Sequence, residues 1–236
     1  MNRRVLSPVV RETLHGLVYT ELRRSLIHGL FDAGETLRIQ EVAETLQTST
    51  MPVREALGRL VSEQALEALP NRSVRVPLIT RERLEDLARA RRLIEGQIVM
   101  LALPNLTQGD FERLRRLTKE YDAAFGGRAD RALRASELNH DFHFHIYRAA
   151  RSAVLIPIVE SLWLQSGPYV RAAARLHDEV RDIPATHYHW ALIEALERGD
   201  GAASVEALTD DIARSFNLIR GQLDAEDAGE RTAAYG

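Results

Sequence analysis

The stretch Val42-Ala43-Glu44-Thr45-Leu46-Gln47-Thr48-Ser49-Thr50-Met51-Pro52-Val53-Arg54-Glu55-Ala56-Leu57-Gly58-Arg59-Leu60 decides the fold of the N-terminal third. Val42, Ala43 and Leu46 recur at helical spacing and mark a short helix. Thr48-Ser49-Thr50 is a polar break able to cap the helix that follows. Pro52 in that helix's first turn costs little, because the early N–H groups have no intrahelical partner. Val53, Ala56, Leu57, Leu60 and Val61 supply its buried stripe.

Working outward, Leu14, Leu17, Val18, Leu22 and Leu26 form an earlier helical stripe, and Gly29 is its natural stop. Asp32-Ala33-Gly34-Glu35 reads as a turn and Thr36-Leu37-Arg38-Ile39 as a short strand. After Gln64, Leu66-Glu67-Ala68-Leu69 and Val74-Arg75-Val76 are β runs around the turn Pro70-Asn71-Arg72-Ser73. Three helices, the last two joined tightly, and then a hairpin make a winged helix-turn-helix. Its third helix suits the major groove, with its N-terminal side chains reaching base edges. Arg38, Arg54, Arg59, Arg72 and Arg75 offer phosphate and base donors, with Ser49 and Arg54 as principal contacts. The competing reading is a generic small domain whose arginines are merely solvated.

The residues then become recognisable. Gly34-Glu35-Thr36-Leu37, Val42-Ala43-Glu44-Thr45-Leu46 and Pro52-Val53-Arg54-Glu55-Ala56-Leu57-Gly58-Arg59-Leu60 resemble the DNA-binding domain of GntR-family bacterial transcription regulators. Members usually read Ser-Arg-Thr-Pro-Val-Arg-Glu-Ala-Leu here. This chain has Thr50 for the family's arginine and Met51 where threonine is common, and Ser73 stands nearest the usual wing glycine. The resemblance implies the docking mode, with Ser49, Thr50, Met51 and Arg54 at the DNA, but not the operator sequence. Losing a bidentate guanine reader shifts base discrimination by about 1–3 kcal/mol.

The composition of the 236 residues narrows the classes. There is no cysteine, so disulfides, thiolate zinc fingers, iron–sulfur clusters and thiol catalysis are excluded. A net charge of −3 excludes binding to nucleic acid by bulk charge alone. The charge is uneven: residues 1–79 hold 10 Arg against 9 acidic residues, while six of the eight histidines fall between His140 and His189. No apolar run approaches the roughly 20 residues of a membrane span, and no signal peptide is evident, so a soluble cytoplasmic protein is expected.

From Thr80 onward the pattern is helical throughout. Helices are expected over Thr80–Leu103, from Thr107 to Gly126-Gly127, over Ala129–Ala150, from Ser152 with an interruption at Gly167-Pro168, over Asp182–Gly199 and over Gly201–Gln222. The expected organisation is a DNA-binding domain over 1–79, an antiparallel all-α bundle for effector binding and dimerisation over 80–222, and a flexible tail over 223–236. Such bundles build ligand and metal sites between facing helices.

The chemistry lies in Asn139-His140-Asp141-Phe142-His143-Phe144-His145-Ile146-Tyr147. At about 100° per residue from Leu138, Phe142 falls near about +40°, His145 near about −20° and Asp141 near about −60°. Asp141 and His145 thus share a face with Leu138 and Phe142, and His140 and His143 point elsewhere. His189 shares a stripe with Leu192, Ile193 and Leu196, and Asp211 with Ala207, Leu208, Ser215 and Leu218. Inward carboxylates and imidazoles need partners. A hydrogen-bonded core pair answers that need as well as a metal does.

The spacing Asp141-x-x-Phe144-His145, followed by His189 and Asp211, also resembles the C-terminal domain of the FadR-like branch of the GntR family. The resemblance implies a divalent metal on Asp141, His145, His189 and Asp211, with Asp211 standing where the family's last histidine is expected. Zinc is the first choice, with nickel or manganese as alternatives. It further implies that Arg91, one turn before Glu95, clamps a small carboxylate effector, with Arg148 (or Arg92) in reserve and Tyr169 lining the cavity. Six helices resemble the VanR-type variant. The implied function is a ligand-responsive homodimeric regulator, most often a repressor, on a pseudo-palindromic double-stranded operator. The rivals are a metal-dependent enzyme on a helical bundle and a constitutive DNA binder without effector.

Overall fold

The computed structural model describes residues 14–70, 73–124, 131–176 and 184–234. Helix α1 spans Leu14–Ile27 and ends at Gly29, whose φ of +64° makes the left-handed exit that glycine tolerates. Strand β1 is Thr36–Leu37, α2 is Ile39–Thr45 and α3 is Thr50–Ser62. Strands β2 (Glu67–Ala68) and β3 (Val74–Arg75) form the wing. The wing is more than the expected hairpin: β1 joins it, giving a three-stranded antiparallel sheet of order β1-β3-β2. The strand read over Thr36–Ile39 is cut to two residues because Arg38 is the N-cap of α2.

Helix α4 (Arg81–Ala102) starts where Thr80 accepts from the Arg83 N–H at 3.3 Å. Helix α5 (Gln108–Ala124) opens on a reciprocal cap: Thr107 N–H donates to Asp110 Oδ2 at 2.8 Å, and Asp110 N–H donates to Thr107 Oγ1 at 3.4 Å. Helices α6 (Arg131–Ala149), α7 (Leu155–Leu176), α8 (His187–Glu197) and α9 (Gly201–Ala234) complete six helices among the described residues of the second domain. The Gly126 region, on which the six-helix reading leaned, lies outside the described residues, as does Asp182.

Two expectations change. Helix α7 runs through Pro168 without interruption. Helix α9 continues to Ala234, so residues 223–234 of the expected flexible tail are helical, and Asp224 among them meets Arg81 at 2.6 Å.

Two apolar cores divide between Val76 and Ile79. The first is built by α1, α2, α3 and the wing; the second by α4 to α9. The first core also takes in Leu164 of α7. There the two backbones meet: a Cβ on Gly167 would collide with the carbonyl oxygen of Leu26. Among the described residues no helix is long and apolar enough to cross a membrane.

Candidate metal centre and nucleic-acid interface

Helix α3 buries Val53, Ala56, Leu57 and Leu60 and presents Thr50, Met51 and Arg54 to solvent, with Ser49 exposed at its N-cap. Met51 is 59% exposed, a large apolar side chain left out of the core at the N-terminal end of α3. Arg54 forms no ion pair among the described residues. The other arginines have partners. Arg38 meets Glu41 at 2.7 Å. Arg75 meets Glu67 across the wing at 2.6 Å. Arg59 holds Glu63 at 3.0 Å and lies 3.7 Å above the Tyr19 ring. Exposed pairs are worth about 0–1 kcal/mol, so Arg38 and Arg75 can exchange theirs for phosphate. Arg59 is tied into the packing of α1 on α3. Arg72 lies outside the described residues.

In the second domain three helices bring His143, His189 and Asp211 together, with ligand atoms within 4.8 Å of one another. His143 Nε2 lies 3.1 Å from Asp211 Oδ2, and His189 Nε2 lies 3.9 Å from Asp211 Oδ1. Asn139 Oδ1 is 3.1 Å from His189 Nε2 and completes the ring of donors.

Asp141 and His145 are not in this cluster. Asp141 is exposed and faces His140 at 3.7 Å. His145 meets Asp110 of α5 at 2.9 Å. The reason is the width of the buried face of α6. Counting about 100° per residue from Leu138, its buried arc runs from Leu138 through Phe142, Ile146, His143 and Tyr147 to Phe144, roughly 0° to 240°. Asp141, His145 and Arg148 occupy the remaining arc. The sequence reading placed Leu138 at the centre of the buried arc, whereas it is the edge. His143, read as pointing elsewhere, is 1% exposed and central.

Behind His143 runs a buried polar chain. Tyr147 donates its single hydroxyl proton to Glu95 Oε2 at 2.5 Å, and its oxygen lies 3.2 Å from His143 Nδ1. Arg91 grips Glu95 with Nε at 2.6 Å and Nη2 at 3.2 Å. The pair is buried, not on the surface, and the guanidinium lies 4.3 Å over Trp163. With the phenol proton committed to Glu95, the Tyr147 oxygen accepts from His143 Nδ1–H. His143 Nε2 then faces Asp211 Oδ2 at 3.1 Å, where a proton or a metal ion can join the two. A divalent cation in the place of that proton would tie Asp211 to the imidazoles.

The protonation states agree with such a cation. Burial, between Phe142 at 3.9 Å and Tyr121 at 5.0 Å, lowers His189 to about 3 and keeps it neutral. Burial alone would raise the Asp211 carboxyl, but His143, His189 and Arg91 outweigh it and hold it below the usual carboxylate range. Metal binding needs neutral imidazoles and an ionised carboxylate.

A cavity of about 30 Å³ opens beside the cluster, lined by Asn139, Asp211, Tyr121, Ser136, Arg214 and Ser215 among others. It has room for an ion and one or two waters. Of the expected effector residues, Arg91 sits behind the cluster with its fork on Glu95. Arg148 is exposed on the other side of α6, over Phe144 at 5.6 Å. Tyr169 is buried against Phe216 and does not line the cavity. Arg92 is exposed and donates to Ala88 O at 3.2 Å.

A winged helix with a free arginine on its third helix, joined to an all-α domain, defines a two-domain DNA-binding regulator. Residues 14–76 match the bacterial regulatory proteins of the gntR family, and residues 86–214 match the FCD domain. The chain belongs to the GntR family of transcription regulators, in the branch that carries an FCD domain. It is 33% identical over 152 residues to the HTH-type transcriptional regulator McbR of Escherichia coli (strain K12), covering 64% of this chain and 67% of that protein. It is 28% identical over 214 residues to a probable D-xylose utilization operon transcriptional repressor of Paenarthrobacter nicotinovorans, covering 87% and 88%. The solved structure of E. coli McbR/YncC superposes with a TM-score of 0.79 at 27% identity, covering 89% of this chain and 99% of that one. These relatives are regulators, and the chain is a transcription regulator, not an enzyme.

Proposed function

We propose that this regulator is a homodimeric repressor whose hold on a pseudo-palindromic operator is controlled by a small carboxylate bound beside a divalent metal. The observation that carries the reading is the convergence of His143, His189 and Asp211 in one cluster, with the Asn139 carbonyl beside it, next to a cavity that Asp211 and Asn139 line. Two imidazole nitrogens and two oxygens suit zinc, nickel or manganese. When bound, the ion supplies a Lewis-acidic contact for a carboxylate oxygen. Tyr121, Ser136, Arg214 and Ser215 line the same cavity and offer polar contacts.

The cavity is too small for an organic acid as it stands, so binding must displace its wall. Val170 and Ala173 of α7 form part of that wall. One to three turns earlier, α7 gives Leu164 to the DNA-binding core and docks Gly167 on α1. A carboxylate that fits only a shifted α7 therefore alters operator affinity through its differential affinity for the two placements. The Paenarthrobacter relative, a probable transcriptional repressor, supports the repressor sign.

Metal content after reconstitution with zinc and dialysis tests the site. About one ion per chain is expected in the wild type, in Asp141→Asn and in His145→Gln, with loss in His143→Gln plus Asp211→Asn. Retention in the last variant, or loss in the first two, overturns the assignment.

A further inference from the structure

A second concavity lies between the two domains, on the far side of α6 from the metal cluster. It measures about 650 Å³, within the roughly 300–1,000 Å³ of small-molecule sites. Helices α1 and α3 form one wall and α6 and α7 the other. Four arginines line it against two glutamates. Arg23 is held by Glu160 at 3.3 Å, Arg24 by Glu137 at 3.4 Å and Arg59 by Glu63 at 3.0 Å. Arg148 forms no ion pair among the described residues; its guanidinium lies over the Phe144 ring.

A second observation is independent of charge. His28 lines the groove, is 9% exposed, and its Nδ1 has no hydrogen-bond partner. Its ring meets His140 edge to face at 5.1 Å. A buried polar atom without a partner calls for one, and a ligand in the groove can supply it. Phe144 and Ile27 offer apolar surface between the two polar groups.

We propose that this groove binds a small organic anion, with its phosphate or carboxylate group on Arg148 and its apolar body along Phe144 and Ile27 toward His28. Because its walls come from both domains, the ligand would bridge the DNA-binding domain and the bundle directly. The groove is separate from the metal cavity and requires no metal.

Calorimetric titration of the full chain, kept in excess chelator, tests this with three probes: phenyl phosphate, benzoate and inorganic phosphate. Saturable one-site binding of phenyl phosphate or benzoate is expected, and the stronger of the two names the head group. Inorganic phosphate, without an apolar body, should bind at least tenfold more weakly. Arg148→Glu, on an exposed side chain, should weaken binding at least tenfold with unchanged circular dichroism. His28→Phe should weaken it several-fold, whereas replacing the chelator with zinc should leave it within twofold. Absence of saturable binding by all three probes, unchanged affinity in Arg148→Glu, or loss of binding when zinc replaces the chelator would overturn the proposal.

Discussion

At the scale of single residues, the second domain turns on which histidine of Phe142-His143-Phe144-His145 faces inward. The repeat offers two Phe-His pairs two residues apart, and helical spacing from Leu138 alone favours the later one. Read two residues earlier, the same spacing gives Asn139-x-x-Phe142-His143, whose two polar members are the ones the fold brings to His189 and Asp211. What sequence could not show is that α6 is covered on most of its circumference. His189 and Asp211 were legible because α8 and α9 each bury one narrower stripe. Tyr147 escaped notice since a tyrosine on an apolar face reads as core. Its hydroxyl nevertheless sets the tautomer of His143 through Glu95. Tyr147→Phe should therefore lower zinc affinity about 10–100-fold, the usual cost of losing a partner that orients a metal ligand. Competition with a chromophoric chelator measures it. Unchanged affinity in a folded Tyr147→Phe protein would show that His143 is oriented without the phenol.

At the scale of elements, α1 carries the junction between domains. Its C-terminal carbonyls press on Gly167, leaving no space for a methyl group on α7. In the sequence Gly167-Pro168 reads as a helix break, because such a pair punctuates most helices. Here the glycine serves close approach, and α7 continues past the proline. Gly167→Ala should destabilise by about 1–3 kcal/mol, as overpacking does. Gly221→Ala in α9, where a Cβ meets nothing within 4 Å, should instead stabilise by about 0.5–1 kcal/mol. Urea denaturation of both variants checks the contrast, and equal effects would remove the backbone contact as a constraint. The same junction buries His28 beside His140, with Glu137, Asp141 and Arg24 nearby; burial first, then His140, lowers it to about 4. The unfolded chain, with an ordinary histidine near 6.5, then binds a proton that the native state refuses. Stability is unaffected above about pH 6.5 and falls as pH drops from there toward 4. His28→Phe should flatten the decline in melting temperature between pH 7 and 5; an unchanged slope would assign that decline to other groups.

At the scale of the whole molecule, the net charge of −3 and the assignment to DNA are compatible only if affinity is concentrated in a few side chains. The winged domain was legible almost residue by residue, because its turn, proline and apolar stripe all constrain the same short stretch. What remained hidden was how its arginines are spent. Arg59 is held by Tyr19 and Glu63, and Arg38 and Arg75 keep exposed acidic partners. Arg54 alone among these four forms no ion pair within the described residues, and it sits on the solvent face of α3 near Met51. A base contact from Arg54 is worth about 1–3 kcal/mol, or roughly 5- to 150-fold in affinity. Each phosphate contact should instead add about 0.9 to the slope of log affinity against log salt. Arg54→Ala should thus weaken a selected operator strongly and random DNA little. Arg75→Ala should weaken both alike and reduce the salt slope. Fluorescence anisotropy on the two DNAs across a salt series separates the cases, and a uniform loss for Arg54→Ala would make it a phosphate contact.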